Sequence, residues 1–361
     1  MRSLLSAVLL LISFTASAEI EWLHSHLTQL ASESHLVKSY SHKKQSYLYD
    51  QALTLISLSH AKNFSKARGL ALALKKLQLP NGSWYFSYYL DGSSPHPQEG
   101  DMQPNGAIAW AALALMTYEF QSKDKSFRPQ WEKALHHLER NFVKVDGFKG
   151  MGLRFSQVDN SQTSWKETDV VALEHVLDSL SAFRAAYKLT KRKNFQTHQL
   201  ALEKFALEFW DEGQGHFWSG VTISNSKINR SEFYLDNQTW SALALEHLGL
   251  QKMMKQALSS SCSLMVKDKT WVGFKEAKRS IASADFIWSE GTAGKAMALE
   301  RYQTKCEGTK SESYLSTLES MKVGGGVLYV NKTVPQFEAQ PSVAGTAWTW
   351  LLKNKINPFI L

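Results

Sequence analysis

The sequence has 361 residues, of which 43% are hydrophobic and 20% charged, so it is long enough to bury a large hydrophobic core. Its formal net charge of +8 favours anionic surroundings such as a cell-wall polymer, but it does not by itself indicate a nucleic-acid partner. After the first residues, no segment reaches 18 uninterrupted apolar residues, so no membrane-spanning helix is expected in the rest of the chain.

The first 18 residues have the pattern of a secretory signal peptide. Arg2 precedes an apolar run of roughly 11 residues, which is too short to cross a bilayer comfortably. The run ends in Ala16-Ser17-Ala18, a typical small-residue cleavage site. We therefore expect cleavage after Ala18 and export of residues 19–361 to the periplasm or the extracellular space, without stable membrane insertion. Export argues against a nucleic-acid partner.

Two kinds of predicted helix alternate along the chain. Amphipathic helices with one charged face are predicted at 20–32, 65–77, 127–141, 194–210, 250–266 and 310–321. Helices rich in Ala, Leu and Trp with few charges are predicted at 46–58, 104–118, 169–188, 236–248, 289–301 and 342–353. The first kind is expected on a surface and the second inside protein. Six such outer–inner hairpins predict an all-α fold, a single (α/α)6 toroid over residues 19–361.

The connections that follow five of the outer helices also repeat. Each is rich in glycine and aromatic residues: PNGSWYFSYY, VDGFKGMGLRF, DEGQGHFWSG, KTWVGFKEA and VGGGVLYV. This composition predicts turns or short β-hairpins that lead back to the next inner helix. We also expect the last helix and the C-terminal residues INPFIL to dock against the first hairpin.

Acidic residues stand at or near the start of five predicted inner helices. Parallel inner helices would gather their N-termini at one mouth, where unpaired N–H groups favour carboxylates. Sugar rings have apolar faces that stack on aromatic rings and hydroxyl groups that need polar partners, so we expect a poly- or oligosaccharide substrate, including an anionic one. The expected substrate-binding residues are Asp101, Asp169, His175, Asp178, Trp165, Tyr234, Trp240, Trp288 and Trp348.

Cleavage of a glycosidic bond needs one protonated carboxyl group and one ionised carboxylate. We expect Glu174 and Glu290, on the third and fifth inner helices, to be the catalytic pair, with Asp236 and Asp50 in reserve. The neighbouring Trp288 would raise the pKa of Glu290 and suit it to the acid role. A separation that leaves room for water would give inversion.

Two polar residues of the third inner helix have other expected roles. Asp178 lies one turn beyond Glu174, and we expect it to bind His175 or a backbone donor rather than to react. His175 is interpreted either as a hydrogen-bonded core histidine or as a proton shuttle.

Two segments carry a resemblance to a known superfamily. EHVLDSLSAF (174–183) and WSEGTAGKAMAL (288–299) resemble segments of secreted bacterial toroids in the six-hairpin glycosidase-like superfamily. The likeness in layout covers essentially the whole mature chain. It implies an (α/α)6 toroid that acts on glycans through acids at the helix-N-terminal mouth. The superfamily also holds lyases, epimerases and phosphorylases, so no catalytic role is carried over from it.

Three other functions stay open. A polysaccharide lyase could use His175, Tyr234, Arg230 and Asn237, with a histidine or tyrosine base and an arginine or amide that neutralises a uronate. A toroid can also bind glycans without catalysis. QLPNGSW (78–84) resembles the repeats of terpene cyclases, but their D-x-D-D run is absent.

We expect neither a metal nor another cofactor, and a monomer. The two cysteines, Cys262 and Cys306, do not have zinc-site spacing, and export permits a disulfide between them that the sequence neither requires nor excludes.

Overall fold

The computed structural model describes residues 17–94, 102–158, 168–278 and 285–361. Within these residues twelve α-helices alternate between an outer and an inner set. The outer helices are α1 (Ala18–Ser25), α3 (Phe64–Leu77), α5 (Arg128–Arg140), α7 (Lys193–Leu207), α9 (Gln251–Ser260) and α11 (Ser311–Ser320). The inner helices are α2 (Leu48–His60), α4 (Asn105–Ser122), α6 (Leu173–Thr190), α8 (Leu235–Ala244), α10 (Ser289–Arg301) and α12 (Val343–Lys353).

The inner helices form a closed ring. Neighbours pack in chain order from α2 through α4, α6, α8 and α10 to α12, and α12 packs back against α2. Each later outer helix packs against the inner helix that precedes it, and α1 packs against α12. The predicted (α/α)6 toroid with strict alternation of outer and inner helices is confirmed.

Burial follows the two sequence patterns. Residues 105–119 of α4 are all buried, because this alanine-rich inner helix has protein on every side. The outer helix α5 instead buries one stripe, which includes Trp131, Ala134, Leu135 and Leu138. This i, i+3, i+4, i+7 spacing places apolar side chains on a single face.

Short strands occupy the connections between outer and inner helices. They are β1 (Leu27–Ala31), β2 (Ser34–Val37), β3 (Gln45–Tyr47), β4 (Ser87–Tyr89), β5 (Met102–Pro104), β6 (Phe142–Val143), β7 (Gly152–Leu153), β8 (Ser156–Val158), β9 (Val170–Ala172), β10 (Trp210–Asp211), β11 (His216–Phe217), β12 (Gly220–Thr222), β13 (Lys227–Ile228), β14 (Met265–Asp268), β15 (Trp271–Phe274), β16 (Lys322–Val323) and β17 (Gly326–Val327). Strands β13, β12 and β9 form a three-stranded sheet, and the others pair in twos.

The predicted hairpins are largely confirmed. Local antiparallel pairs form between β6 and β7, β10 and β11, β14 and β15, and β16 and β17. The first predicted hairpin, PNGSWYFSYY, is different: its strand β4 pairs with β3, which precedes α2.

A ring of antiparallel β-pairings surrounds the mouth of the toroid. The residue just before each inner helix pairs with a residue in another connection: Tyr47 with Ser87, Pro104 with Ser156, Ala172 with Gly220, Tyr234 with Ala277, Trp288 with Val330, and Ser342 with Tyr40. The last of these pairings joins the two ends of the ring. Because each inner helix begins from a paired residue, all six N-termini are held at one face.

Several predicted helix limits were wrong, and three of them show why. The helix predicted at 20–32 ends at Ser25, because residues 27–31 form β1 and pair with β2. The helix predicted at 169–188 begins only at Leu173, because Val170–Ala172 is strand β9. The helix predicted at 250–266 ends at Ser260 and continues as a 3-10 turn, Ser261–Leu264.

Cys262 and Cys306 form a disulfide, which links the end of α9 to the connection after α10. The last helix packs against α1 and α2, as predicted. The tail that follows it does not dock there. Phe359 is buried against Trp110 and Trp240, because Asn357 and Arg184 hold the tail across the far ends of α6 and α8. Among the described residues, no helix combines the length and hydropathy needed to cross a membrane.

Candidate active site

The ring of pairings places one set of side chains around the axis of the toroid. Two positions after each paired residue stand Tyr49, Gly106, Glu174, Asp236, Glu290 and Ala344, which we call the rim layer. One helical turn farther along stand Leu53, Trp110, Asp178, Trp240, Gly294 and Trp348, which we call the floor layer. Residues four apart on a helix share a face, so both layers point toward the axis.

The two layers enclose a cavity of about 300 Å³, the central pit. Five rim-layer residues line it, namely Tyr49, Gly106, Glu174, Asp236 and Glu290. The floor layer contributes Trp110, Asp178 and Trp240. Further polar and aromatic lining comes from His175, Trp288, Phe86 and Phe155. A groove of about 1090 Å³ adjoins the pit and shares Phe155, Glu174 and Asp236 with it. The groove continues over β9, β12 and β13.

Glu290 is a buried carboxyl group with a fixed donor. The Tyr49 hydroxyl donates to its Oε1 at 2.6 Å, and the Trp348 indole N–H donates to the Tyr49 oxygen at 2.8 Å. Burial raises the pKa of Glu290 to about 8, and the charges of Asp50 and Asp236 act in the same direction, against the hydrogen bond from Tyr49. Glu290 is therefore mostly protonated at neutral pH.

Glu174 and Asp236 share a proton. Their carboxyl groups are hydrogen-bonded to each other, and the Asn237 backbone N–H donates to Asp236 at 2.7 Å. Burial raises the pKa of both groups, and the neighbouring Asp236 charge raises that of Glu174 further. The hydrogen bonds from Asn237 and Glu174 oppose the rise at Asp236. The hydrogen bonds donated to Asp236 favour the proton on Glu174 and the negative charge on Asp236, within a pair that titrates as a unit.

His175 is a neutral histidine in the wall of the pit. Its ring stacks on Phe155 at 4.3 Å, and its Nδ1 lies 3.0 Å from the Phe155 carbonyl oxygen. Burial lowers the pKa of His175 to about 4. Because a carbonyl can only accept, we assign the ring proton to Nδ1, which leaves Nε2 as an acceptor, 3.6 Å from Glu174 Oε1.

Asp178 lies on the floor of the pit and is only 5% exposed. Its hydrogen-bond partner is the Trp110 side chain, not His175 or a backbone donor as predicted. Its Oδ1 is buried without a partner among the described residues. Burial raises the pKa of Asp178, and the charge of Glu174 adds to the effect.

The predicted aromatic residues take different positions. Trp240 and Trp288 line the pit, whereas Trp348 stands behind it, 4.8 Å from the Trp240 ring, and acts on the site through Tyr49. Tyr234 lines the groove rather than the pit.

Two predicted acids lie outside both cavities. Asp50 is one position past the rim layer and does not line the pit; it is buried and hydrogen-bonded to Ser39. Burial raises the pKa of Asp50 to about 7. Asp169 is exposed and accepts from the Ser224 backbone N–H at 2.9 Å, which ties two loops together. Asp101 and Trp165 lie outside the described residues.

Four contributors were not identified as site residues from the sequence: Tyr49, Trp110, Phe155 and Gly106. Trp110 occupies the same floor-layer position as Trp240, so the spacing from each helix start was the signal that pointed to it. Gly106 leaves room for its neighbours, because a Cβ there would lie 2.4 Å from the His175 ring and 2.8 Å from Asp178. Phe155 had no comparable signal. Among the described residues, no group of three His, Cys, Asp or Glu side chains is arranged to hold a metal ion.

No family model matches the chain, and no curated protein does. Solved structures do match over nearly its full length. Cellobiose 2-epimerase from Spirochaeta thermophila is 12% identical, with a TM-score of 0.70 over 94% of this chain and 93% of that one. A sugar epimerase from a ruminal bacterium is 13% identical, with a TM-score of 0.69 over 93% and 96%. The GH76 α-mannanase BT2949 from Bacteroides thetaiotaomicron is 13% identical, with a TM-score of 0.61 over 94% and 93%. The chain therefore shares the (α/α)6 toroid fold of these solved structures.

Proposed function

We propose that this protein is an exported carbohydrate-active enzyme that hydrolyses glycosidic bonds in the central pit. One observation carries the proposal: carboxyl groups from three successive inner helices, Glu174, Asp236 and Glu290, line a single aromatic-walled cavity. Trp240 and Trp288 offer flat apolar surfaces for sugar rings, and the carboxyl groups offer partners for sugar hydroxyls.

Glu290 is suited to be the general acid. A general acid must carry its proton at the working pH, and burial provides this by raising the pKa of Glu290 to about 8. Tyr49 occupies Oε1, so Oε2 is the oxygen that can present the proton to the leaving group.

The Glu174–Asp236 pair is suited to be the base. When the pair holds a single proton, the hydrogen bonds donated to Asp236 favour Asp236 as the ionised member. The side chain of Glu174 is 38% exposed at the junction of the pit and the groove, where a substrate chain would pass. In this assignment Asp236 accepts a proton from water or attacks the sugar carbon, and Glu174 orients it.

The structural neighbours support a carbohydrate substrate. They include sugar epimerases, a mannanase, an endoglucanase and a glycosidase variant solved in complex with glucose. Other glycosidase structures among them are of variants with a glutamate replaced by alanine or a tyrosine by phenylalanine. These are the residue types of Glu174, Glu290 and Tyr49 in the rim layer.

A polysaccharide lyase is the second candidate. Arg230, Tyr234 and Asn237 all line the groove beside Glu174, as a lyase would need to bind a uronate. Against it, burial and the neighbouring Glu232 raise the pKa of Tyr234 to about 12, which makes this tyrosine slow to act as a base. His175 is neutral and could accept a proton at Nε2.

The test is product analysis with matched variants. The purified protein is incubated with mannan, β-1,4-glucan, polygalacturonate and chitosan oligosaccharides, and NMR identifies the products. We expect new reducing ends, with turnover lost in Glu290→Gln and Asp236→Asn and kept in the exposed control Asp169→Asn. Unsaturated products would establish a lyase, and a changed sugar configuration an epimerase. If the unmodified protein binds a glycan without turning it over, the protein is a glycan-binding toroid and not an enzyme.

A further inference from the structure

A second polar cavity adjoins the groove on the side away from the pit. This distal pocket of about 560 Å³ is lined by His216, Trp218, Arg230 and Lys278, among others. It shares Arg230, Ser231 and Glu232 with the groove. The pit, the groove and the distal pocket thus lie in series, each sharing lining residues with the next, as the subsites for a polymer would.

His216 lines the distal pocket and has a buried polar atom without a partner among the described residues. The residue is only 9% exposed, and its Nε2 has no hydrogen-bond partner among the described residues. Phe233 and Trp218 hold the ring by edge contacts at 4.8 and 4.3 Å. A buried nitrogen without a partner, in a residue that lines a cavity, is a group that a bound ligand can satisfy.

Two cations border the same cavity. The Arg230 side chain is 66% exposed and lies 3.8 Å from Asp211, too far for a hydrogen bond. Asp211 already accepts from the Trp218 indole and the Gln214 backbone N–H, both at 3.0 Å. The guanidinium of Arg230 therefore keeps donors available for a ligand.

The acid in the distal pocket is already engaged. Glu232 accepts from the Asn229 side chain at 2.8 Å and is hydrogen-bonded to Tyr234. Lys278 is exposed and has no ion-pair partner among the described residues. Trp218 adds an aromatic surface, with the Arg230 guanidinium 5.9 Å from its ring.

We propose that the distal pocket binds a negatively charged sugar residue of the substrate polymer, with its carboxylate or sulfate between Arg230, Lys278 and His216. Arginine presents parallel N–H groups that match such oxyanions, and the Trp218 ring gives the sugar face a surface. The inference rests on the proposed function, since it assigns the last cavity of this series to the same polymer. It names the substrate class as an acidic polysaccharide.

Matched pairs of oligosaccharides test the proposal by isothermal titration calorimetry. One pair is tetragalacturonate and its methyl ester, which differ in charge and share a skeleton. The other is the κ-carrageenan tetrasaccharide and its desulfated form. We expect the charged member of at least one pair to bind about tenfold more tightly, and the pair that discriminates distinguishes carboxylate from sulfate.

Variants test which residues cause the tighter binding of the charged oligosaccharide. Arg230→Gln and Lys278→Gln should each weaken binding of the charged oligosaccharide severalfold and leave the uncharged one unchanged. Lys76→Gln on the exposed face of α3 removes the same charge elsewhere and should change neither. Equal binding of charged and uncharged members, or variants that weaken both alike, overturns the proposal.

Failure of this inference and failure of the proposed function look different. An enzyme that cleaves glycans with no preference for charge keeps the proposed function and loses the acidic substrate. A protein that cleaves nothing, yet binds the charged probe through Arg230, keeps the distal subsite and loses the hydrolase.

Discussion

The Tyr49 hydroxyl donates a hydrogen bond of 2.6 Å to Oε1 of Glu290, across 241 positions of sequence. Tyr49 begins the first inner helix, and Glu290 begins the fifth. The two meet because both stand in the rim layer of a closed ring. Trp348 supports the pair from the sixth inner helix through its indole N–H.

Removal of the Tyr49 hydroxyl should weaken catalysis through Glu290. In Tyr49→Phe we expect kcat/KM to fall about tenfold or more, because the acid loses the donor that orients it. The hydrogen bond favours ionised Glu290, so its loss should raise the pKa of Glu290 above about 8 and move the alkaline limb of the pH profile upward. Tyr187→Phe on the outer end of α6 is the control. An unchanged alkaline limb in Tyr49→Phe contradicts this role.

The pH dependence of activity should report the acid directly. If Glu290 donates the proton, kcat/KM should fall as pH rises through about 8, because the free enzyme then loses that proton. The decline on the acid side should follow protonation of the Glu174–Asp236 pair as a unit. The measurement is kcat/KM from pH 4 to 10, at about half-unit steps. Activity that stays level well above the pKa of Glu290 would remove it as the acid.

Gly106 should tolerate no side chain. A Cβ at this position would lie 2.4 Å from His175 and 2.8 Å from Asp178, so both buried side chains would have to shift. For Gly106→Ala we expect a loss of about 1–3 kcal/mol in the free energy of unfolding, together with reduced turnover. Urea denaturation measures the free energy of unfolding. Gly213→Ala is the matched control, because its nearest contact would be 3.4 Å away. If Gly106→Ala and Gly213→Ala are equally stable, the predicted steric clash at Gly106 is wrong.

Acid should lower the free energy of unfolding by weakening the contact between α1 and α12, beside the closure of the ring. Glu19 of α1 is fully buried and accepts from Lys353 at 2.9 Å and from Lys322. Burial alone would raise the pKa of Glu19, but these hydrogen bonds overcome it and lower the pKa from 4.5 to about 2. Because the pKa of Glu19 is lower in the folded state than in the unfolded state, ionised Glu19 stabilises the folded state above pH 4.5. This stabilisation is lost as the pH falls toward 2. The shift corresponds to about 3 kcal/mol.

The matching measurement is the free energy of unfolding between pH 6 and pH 2, at about half-unit steps. Glu19→Gln should be less stable near neutrality and should lack this part of the acid dependence. Glu319→Gln, whose side chain is 40% exposed in the same cluster, should change stability little. The same acid slope in Glu19→Gln as in the unmodified protein would show that the dependence comes from other groups.

The architecture could be predicted from the sequence because the burial of a helix determines the pattern of apolar residues within that helix. An inner helix such as α4 is apolar on every side, whereas α5 is apolar on one stripe, and both patterns are readable within about 15 residues. The alternation of the two kinds then indicated a ring, and acids near helix starts indicated its mouth. Glu174, Asp236 and Glu290 were identified on this basis.

Which acids meet was decided by the tertiary structure. Asp50 and Tyr49 are adjacent in sequence, but a helix turns about 100° per residue, so Tyr49 lines the pit and Asp50 does not. The β-pairings decide that orientation, because each sets where its inner helix begins, and their partners lie in distant connections. The proton shared by Glu174 and Asp236 likewise depends on the distance between two helices, which local sequence does not encode. The sequence by itself determined the outer and inner helices and their order. Only closure of the ring decided which side chains lie close enough to act together.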